Sequence, residues 1–450
     1  MPRTTKKTTA PVEKHTIPTV PAAEQPYKVP ENWRWVRLGE IYVINPHVEG
    51  DDSMDVSFVP MEKVNPGMCS DFTFDILPWK QAKKGHTRFA NGDIAFAKIS
   101  PCFENRKAFI ATGLLNGIGG GTTELIILRH PKILQKYTYY SIMADRFING
   151  GVQTYSGTVG QQRISMDYVR NYPFPLPPLA EQQRIVDRIE SLFAKLDEAR
   201  EKAQAVVDGF ENRKAAILHK AFTGELTKKW REERGIGINT WQNTTLSTVV
   251  DGFKYGTSEK SDYSYLGMPV LRIPNIGDDG INFSEIKYLS TEANDYSDQI
   301  HENDILIIRS NGSRELVGKC ILVPPLEMAY TYASFLIRIT PSKFIQPTFL
   351  EKYLNSSDAR SQMFSKAKSS AGINNINTKE LGGIIIHLPT LQEQTEIVST
   401  IQKLIQQEQR ARDLVESVIA QIDGMKKAIL ARAFRGELGT NDPSEAACEV

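Results

Sequence analysis

Leu176-Pro177-Pro178-Leu179-Ala180-Glu181-Gln182 returns 212 residues later as Leu388-Pro389-Thr390-Leu391-Gln392-Glu393-Gln394. The same offset carries Ala216-Ile217-Leu218 onto Ala428-Ile429-Leu430. It also carries Ala221-Phe222-Thr223-Gly224-Glu225-Leu226 onto Ala433-Phe434-Arg435-Gly436-Glu437-Leu438. Of the 51 ungapped positions from 176 to 226, 21 are identical with their counterparts. A repeat of this strength sets the plan of the chain before any local reading begins.

Each copy reads as a long helix. In the first, Ile185, Ile189, Leu192, Leu196, Ala199, Ala203, Val206 and Phe210 step alternately by four and three, the heptad seam of a coiled coil. In the second the seam runs through Ile397, Ile401, Leu404, Glu408, Ala411, Val415, Val418, Ile422, Met425 and Ile429, and only Glu408 breaks it. Pro177, Pro178 and Pro389 suit helix entrances, and Gly224 and Gly436 suit exits. About 43 residues at about 1.5 Å each give a rod of about 65 Å. Length and strict spacing favour a two-helix coiled coil over a helix in a bundle core.

The regions before the helices correspond more faintly. Trp33 and Leu38 match Trp241 and Leu246 in spacing, and Asn91-Gly92-Asp93-Ile94 matches Glu302-Asn303-Asp304-Ile305. Val159-Gly160-Gln161-Gln162-Arg163-Ile164 falls where Gly372-Ile373-Asn374-Asn375-Ile376-Asn377 falls. Short β runs are expected at 93–99, 124–128, 305–309 and 335–339, and helices near 136–147 and 348–366. The fold class is therefore α+β: a pseudo-twofold tandem repeat of two mixed α/β globules separated by a pair of long coiled-coil helices. The expected divisions are a disordered tail at 1–30, a globule at 31–175, a helix at 176–230, a second globule at 231–387, a second helix at 388–438, and a tail at 439–450. The disorder at 1–30 follows from its six prolines and its basic, Thr- and Ala-rich composition.

Composition narrows the function. The chain has 450 residues, 40% hydrophobic and 24% charged, as in an ordinary globular protein. No apolar run approaches the roughly 18 residues of a membrane span, and a cytoplasmic location is the default expectation. The 4 cysteines and 7 histidines are scattered without metal-ligand spacing, so no metal site is expected. The net charge of +1 points neither towards nor away from nucleic acid. Gly312 to Cys320 fails as a phosphate loop, having five residues between its glycines and Cys after Lys319. Gly117 to Thr122 has Thr122 at the third glycine position of a dinucleotide loop. No catalytic residue is assigned.

The two Leu-Pro-x-Leu-x-Glu-Gln entrances and the two Ala-Phe-x-Gly-Glu-Leu exits resemble those of the DNA-specificity subunits of type I restriction–modification systems. So do Ile99-Ser100-Pro101-Cys102-Phe103-Glu104-Asn105 and Arg309-Ser310-Asn311-Gly312-Ser313. The resemblance covers nearly all of residues 27–438. It implies two target-recognition domains held by an antiparallel helix pair, double-stranded DNA as ligand, and two modification subunits as partners. It further implies restriction and motor subunits in the full complex. No cofactor is expected in this chain; S-adenosylmethionine, ATP and Mg would belong to the partners. Because the globules differ, their half-sites should differ.

Base reading needs polar forks, arginine for guanine and asparagine or glutamine for adenine. In the first globule the candidates are Lys98, Asn105, Arg106, Lys107, Thr158, Gln161, Gln162 and Arg163. In the second they are Lys254, Tyr255, Arg309, Asn311, Ser313, Arg314, Asn374, Asn375 and Asn377. The duplicated entrances supply candidate subunit-interface residues: Pro177, Leu179, Glu181 and Gln182, with Pro389, Leu391, Glu393 and Gln394. The competing reading is a coiled-coil scaffold with two protein-binding globules. A pure scaffold has no reason to repeat Asn-, Gln- and Arg-rich loops at matched positions.

Overall fold

The computed structural model describes residues 18–448, apart from 131, 279, 291–298, 367 and 371–372. The chain divides into two compact units, residues 1–202 with 418–450, and residues 203–417. Each unit therefore holds a globule together with part of both long helices.

The first long helix runs from Leu179 to Asp208 and resumes from Phe210 to Phe222; the second is continuous from Leu391 to Ala433. Gly209 interrupts the first, where the repeat has Gln421. Within each unit the two helices run antiparallel. In the first, Arg200 meets Asp423 at 2.8 Å while Asp197 meets Lys426 at 2.5 Å. In the second, Arg213 Nε meets Glu408 at 2.6 Å, and Arg412 lies over Phe210. Glu408, the break in the heptad seam, is thus the carboxylate that Arg213 binds.

Apolar side chains explain why each globule claims two helix ends. The core of the first unit takes Ile185, Val186 and Ile189 from the entrance of the first helix, and Leu430, Ala433 and Phe434 from the exit of the second. The core of the second unit takes Ile397, Val398 and Ile401 from an entrance, and Leu218, Ala221 and Phe222 from an exit. Phe434 packs edge-on against Tyr137, and Phe222 edge-on against Phe349.

The globules, faintly alike in sequence, share the topology of one sheet. In the first, Val43–Ile44, Leu125–Arg129, Ile94–Ala97 and Ala108–Ile110 form an antiparallel sheet in that spatial order. In the second, Val250–Tyr255, Leu336–Pro341, Ile305–Ile308 and Cys320–Leu322 repeat it. A second four-stranded sheet in each contains one parallel pair, Asp55–Val59 with Ile118–Gly121, and Pro269–Leu271 with Thr331–Tyr332. The turn before each central strand is the same: Gly92 and Asn303 both have positive φ, and Asp93 and Asp304 accept the backbone N–H of Ala90 and His301. The expected helices appear as pairs, Gln135–Met143 with Asp145–Val152, and Pro347–Leu354 with Ser357–Lys366.

Both expected tails need revision. Residues 1–17 lie outside the described residues, but 18–30 are packed: Val20 is buried and donates to Trp35 C=O, and Tyr27 stacks edge-on against Trp35. Residues 439–448 return to the first unit, where Glu445 takes both Arg184 guanidinium nitrogens at 2.8 Å. Arg184 in turn holds the Glu445 carboxyl below its ordinary range. Among the described residues, no helix is long and apolar enough to cross a membrane.

Truncating Phe222 to Ala should destabilise the second unit by about 3–5 kcal/mol, and Phe434→Ala the first by the same amount, because each vacates a filled aromatic site. Hydrogen exchange resolved by segment checks this. Each variant should raise exchange in its own unit and spare the other.

Candidate nucleic-acid interface

The strand following each central turn delivers a loop that pairs with a second loop far along the chain. In the first unit Ile99 bridges Arg163; in the second Ser310 pairs with Asn375, and Asn311 with Asn374. The flanking hydrogen bonds match. Ile164 N–H donates to Lys98 C=O at 3.0 Å, and Ile376 N–H to Arg309 C=O at 2.9 Å. Lys98 N–H donates to Glu124 C=O at 2.8 Å, and Arg309 N–H to Phe335 C=O at 3.0 Å. Ile164 therefore corresponds to Ile376, one residue from the alignment drawn on sequence. Burial decides this, since both isoleucines are core residues.

In the first unit, Lys98, Gln162 and Arg163 are brought together at the root of a hairpin whose tip carries exposed Thr158 and Gln161. Arg163 forks onto Glu124 at 2.9 and 2.7 Å. That guanidinium lowers the Glu124 carboxyl below its ordinary range. The clamp is a depressed-carboxylate interaction, present above the ordinary carboxylate pKa and lost as pH falls through the lowered one. Glu124 is not among the sequence candidates because an acid in a turn carries no signal of its partner.

Asn105, Arg106 and Lys107 do not join the hairpin's hydrogen bonds. Arg106 donates to Met143 C=O at 3.0 Å and pairs with Asp145, while Lys107 donates to Met61 C=O at 2.9 Å. Both cations thus have partners in their own unit, as Arg163 has in Glu124. Asn105 is exposed.

The second unit brings most of its candidates together. Arg309 lies 4.6 Å from the centre of the Tyr255 ring and donates to Asn375 Oδ1 at 3.2 Å, and among the described residues its buried Nε has no partner. Tyr255 Oη accepts Thr378 N–H at 3.2 Å. Asn374 Nδ2 donates to Gly312 C=O at 3.2 Å, and Asn311 Oδ1 accepts Ser313 N–H at 2.8 Å. Ser313 and Arg314 are exposed, the latter over the Phe364 ring. Lys254 sits half-buried on the strand Val250–Tyr255. Asn377 caps the helix Thr378–Gly382 by accepting Glu380 N–H at 2.9 Å, as Ser165 caps Met166–Asn171.

The helix entrances overturn a larger expectation. Glu181, Gln182, Glu393 and Gln394 are fully buried, and Pro177 and Pro389 are buried too. Glu181 accepts Trp33 Nε1–H at 2.8 Å, and Glu393 accepts Trp241 Nε1–H at 2.9 Å. Gln182 accepts Leu134 N–H at 3.0 Å, and Gln394 accepts Gln346 N–H at 2.7 Å. Each glutamine also donates to its own motif proline, Pro177 or Pro389, at 3.0 Å. These polar residues lock a helix to its own globule and present nothing to a partner. Leu179 and Leu391, 54% and 50% exposed, alone keep the accessibility an interface needs.

The two carboxylates take different further partners. Glu393 pairs with buried Arg231 at 2.5 Å and accepts Thr227 Oγ1–H at 2.7 Å. Glu181 instead accepts Asn441 Nδ2–H at 2.8 Å from the returning C-terminal segment.

Beside this geometry stand the comparisons with known proteins. A family model described as type I restriction modification DNA specificity domain matches residues 30–206 and again residues 239–416. The chain belongs to that family. Its two matches coincide with the two copies of the repeat. Among curated relatives, the specificity subunits of the Escherichia coli type I restriction enzymes EcoAI and EcoEI are 38% and 37% identical over 205 and 214 residues. Those matches cover 45% and 46% of this chain but only 35% and 36% of those proteins. The EcoDI specificity subunit, 23% identical, matches over 91% of this chain and 90% of its own length. The solved HsdS subunit from Thermoanaerobacter tengcongensis shares the fold, with a TM-score of 0.63 at 22% identity, covering 92% of this chain and all of that one. A chain solved in a study of type I R-M complex assembly gives 0.68 at 22% identity, with 92% of this chain covered.

Replacing Arg231 by Met in this type I specificity-family chain should destabilise the second unit by about 3–5 kcal/mol, since Glu393 would be left buried without its cation. Adding Glu393→Gln should recover much of the loss, because the amide still accepts from Trp241. Truncation after Leu438 should loosen the first unit alone. Urea unfolding followed by Trp33 and Trp241 fluorescence reads all three.

Proposed function

We propose that this chain is the sequence-reading subunit of a type I restriction–modification complex. Each unit reads one half of an asymmetric, bipartite double-stranded DNA site, and the chain performs no chemistry. Two modification subunits assemble on it, and restriction and motor subunits join through them. S-adenosylmethionine, ATP and Mg serve those partners, and no cofactor is bound here.

One observation carries the reading. The same pair of loops is joined at the same bridge in both units, yet the side chains differ: Lys98, Gln161, Gln162 and Arg163 in one, Arg309, Asn311, Asn374 and Asn375 in the other. A repeated frame with unlike hydrogen-bonding groups is what reading two unlike half-sites requires. Arg309 is the strongest single candidate, since its planar group is stacked and oriented before any ligand arrives. Leu179 and Leu391, repeated and exposed, are the proposed contacts for two copies of one modification subunit.

Methylation mapping of a host carrying the chain tests the site. Replacing residues 31–175 with those of a relative should change one half of the methylated sequence and leave the other intact. Arg309→Ala should weaken binding by roughly 10-fold or more and relax one position of the other half-site. Loss of both halves from the globule exchange, in a folded protein, would refute independent reading. For the partners, Leu179→Asp together with Leu391→Asp should reduce the modification subunits bound at saturation from two towards none, by mass measurement.

A further inference from the structure

The hairpin at residues 156–163 displays a side chain for which the first unit has no use. Val159 is 89% exposed. It does not lie in a loose loop. Gln161 N–H donates to Thr158 C=O at 2.9 Å, and Gly160 has φ +83°, which together are the pattern of a type II turn with Val159 at its first central position. Ser156 and Arg163 close the hairpin below with both backbone bonds, 3.1 and 2.9 Å. Gly157 at φ +111° lets the chain bend out of that bridge. The root is fixed to the sheet through Ser100 N–H to Gln162 C=O at 2.8 Å and through the Arg163 fork on Glu124. The tip thus holds a hydroxyl, an isopropyl group and a primary amide side by side, on Thr158, Val159 and Gln161.

The hairpin is closed by a single bridge; the DNA major groove is wide enough for an element as thick as a two-stranded ribbon, and only that groove displays the 5-methyl group of thymine. We propose that this hairpin enters the major groove of the half-site read by the first unit, and that Val159 packs against a thymine methyl. Val159 is then a specificity determinant for one A·T pair. The inference rests on the DNA-reading role proposed above. An apolar wedge driven between base steps is the competing use of such a residue. Valine is small for that task, and Thr158 and Gln161 on either side suit base edges better than a base stack.

The test uses the full-length chain assembled with its modification subunits, and duplexes carrying the mapped site. Each thymine of the first half-site, on either strand, is replaced in turn by deoxyuridine, which lacks only the methyl group. At one position the wild type should lose affinity by about fourfold, the worth of one methyl group withdrawn from water. Val159→Ala should bind the thymine duplex more weakly by a similar factor and be indifferent to uridine at that position, the mark of a coupled pair. Its unfolding curve should match the wild type, because the side chain is outside the core. The proposal is overturned if no uridine substitution matters, if Val159→Ala keeps the uridine penalty, or if the mapped half-site contains no A·T pair. In each of those cases binding to the mapped site persists and the DNA-reading role stands. Failure of the wild-type assembly to bind the mapped duplex at all would remove that role and this inference together.

Discussion

Glu181 and Glu393 are fully buried, and a carboxylate is tolerated without water only when donors surround it. Each finds an indole N–H from the first strand region of its own globule, Trp33 or Trp241. The neighbouring glutamine fastens the same helix turn to the segment leading into the globule's helices, through Leu134 or Gln346. Three parts of each unit, distant in sequence, therefore meet on one helical turn. The direction in which each long helix leaves its globule follows from that turn.

The other end of each helix is held by apolar packing instead. Phe222 and Phe434 carry no charge, and their attachment is edge-on aromatic contact with Phe349 and Tyr137. An entrance fixed by directional hydrogen bonds and an exit fixed by non-directional burial make a sound division. The first sets orientation, and the second tolerates small differences between the two globules. The attachments differ in the further partner of the buried acid. The second unit supplies Arg231 from the segment after the exit of the first helix, while the first unit uses Asn441 after the exit of the second helix, with Arg184 and Glu445 beside it.

The candidate cations differ in the partners that the fold gives them. Arg106 and Lys107 looked like DNA-contacting residues because they adjoin a loop rich in polar groups. The fold gives them Met143, Asp145 and Met61 as partners. Arg309 is stacked on Tyr255 and donates to Asn375 and to Ser334 C=O, and among the described residues its buried Nε–H has no acceptor. Sequence spacing cannot distinguish these cases, since each partner lies tens of residues away.

The sequence by itself determined the duplication, the two long helices, the strands around Ile94 and Ile305, and the family; the expected heptad seam is followed only in part, since Val206, Val418 and Met425 are exposed. Each of these is written in local periodicity or in a direct repeat, and needs no knowledge of what touches what. Tertiary structure decided the rest. It turned Glu181, Gln182, Glu393 and Gln394 from an expected partner surface into internal locks, because burial depends on the globule folded over them. It made Asn377 a helix cap, moved the loop register by one residue to bury Ile376, and folded residues 439–448 back onto the first unit. Hydrogen-bond partners and solvent access are properties of pairs remote in the chain, which a one-dimensional pattern does not contain.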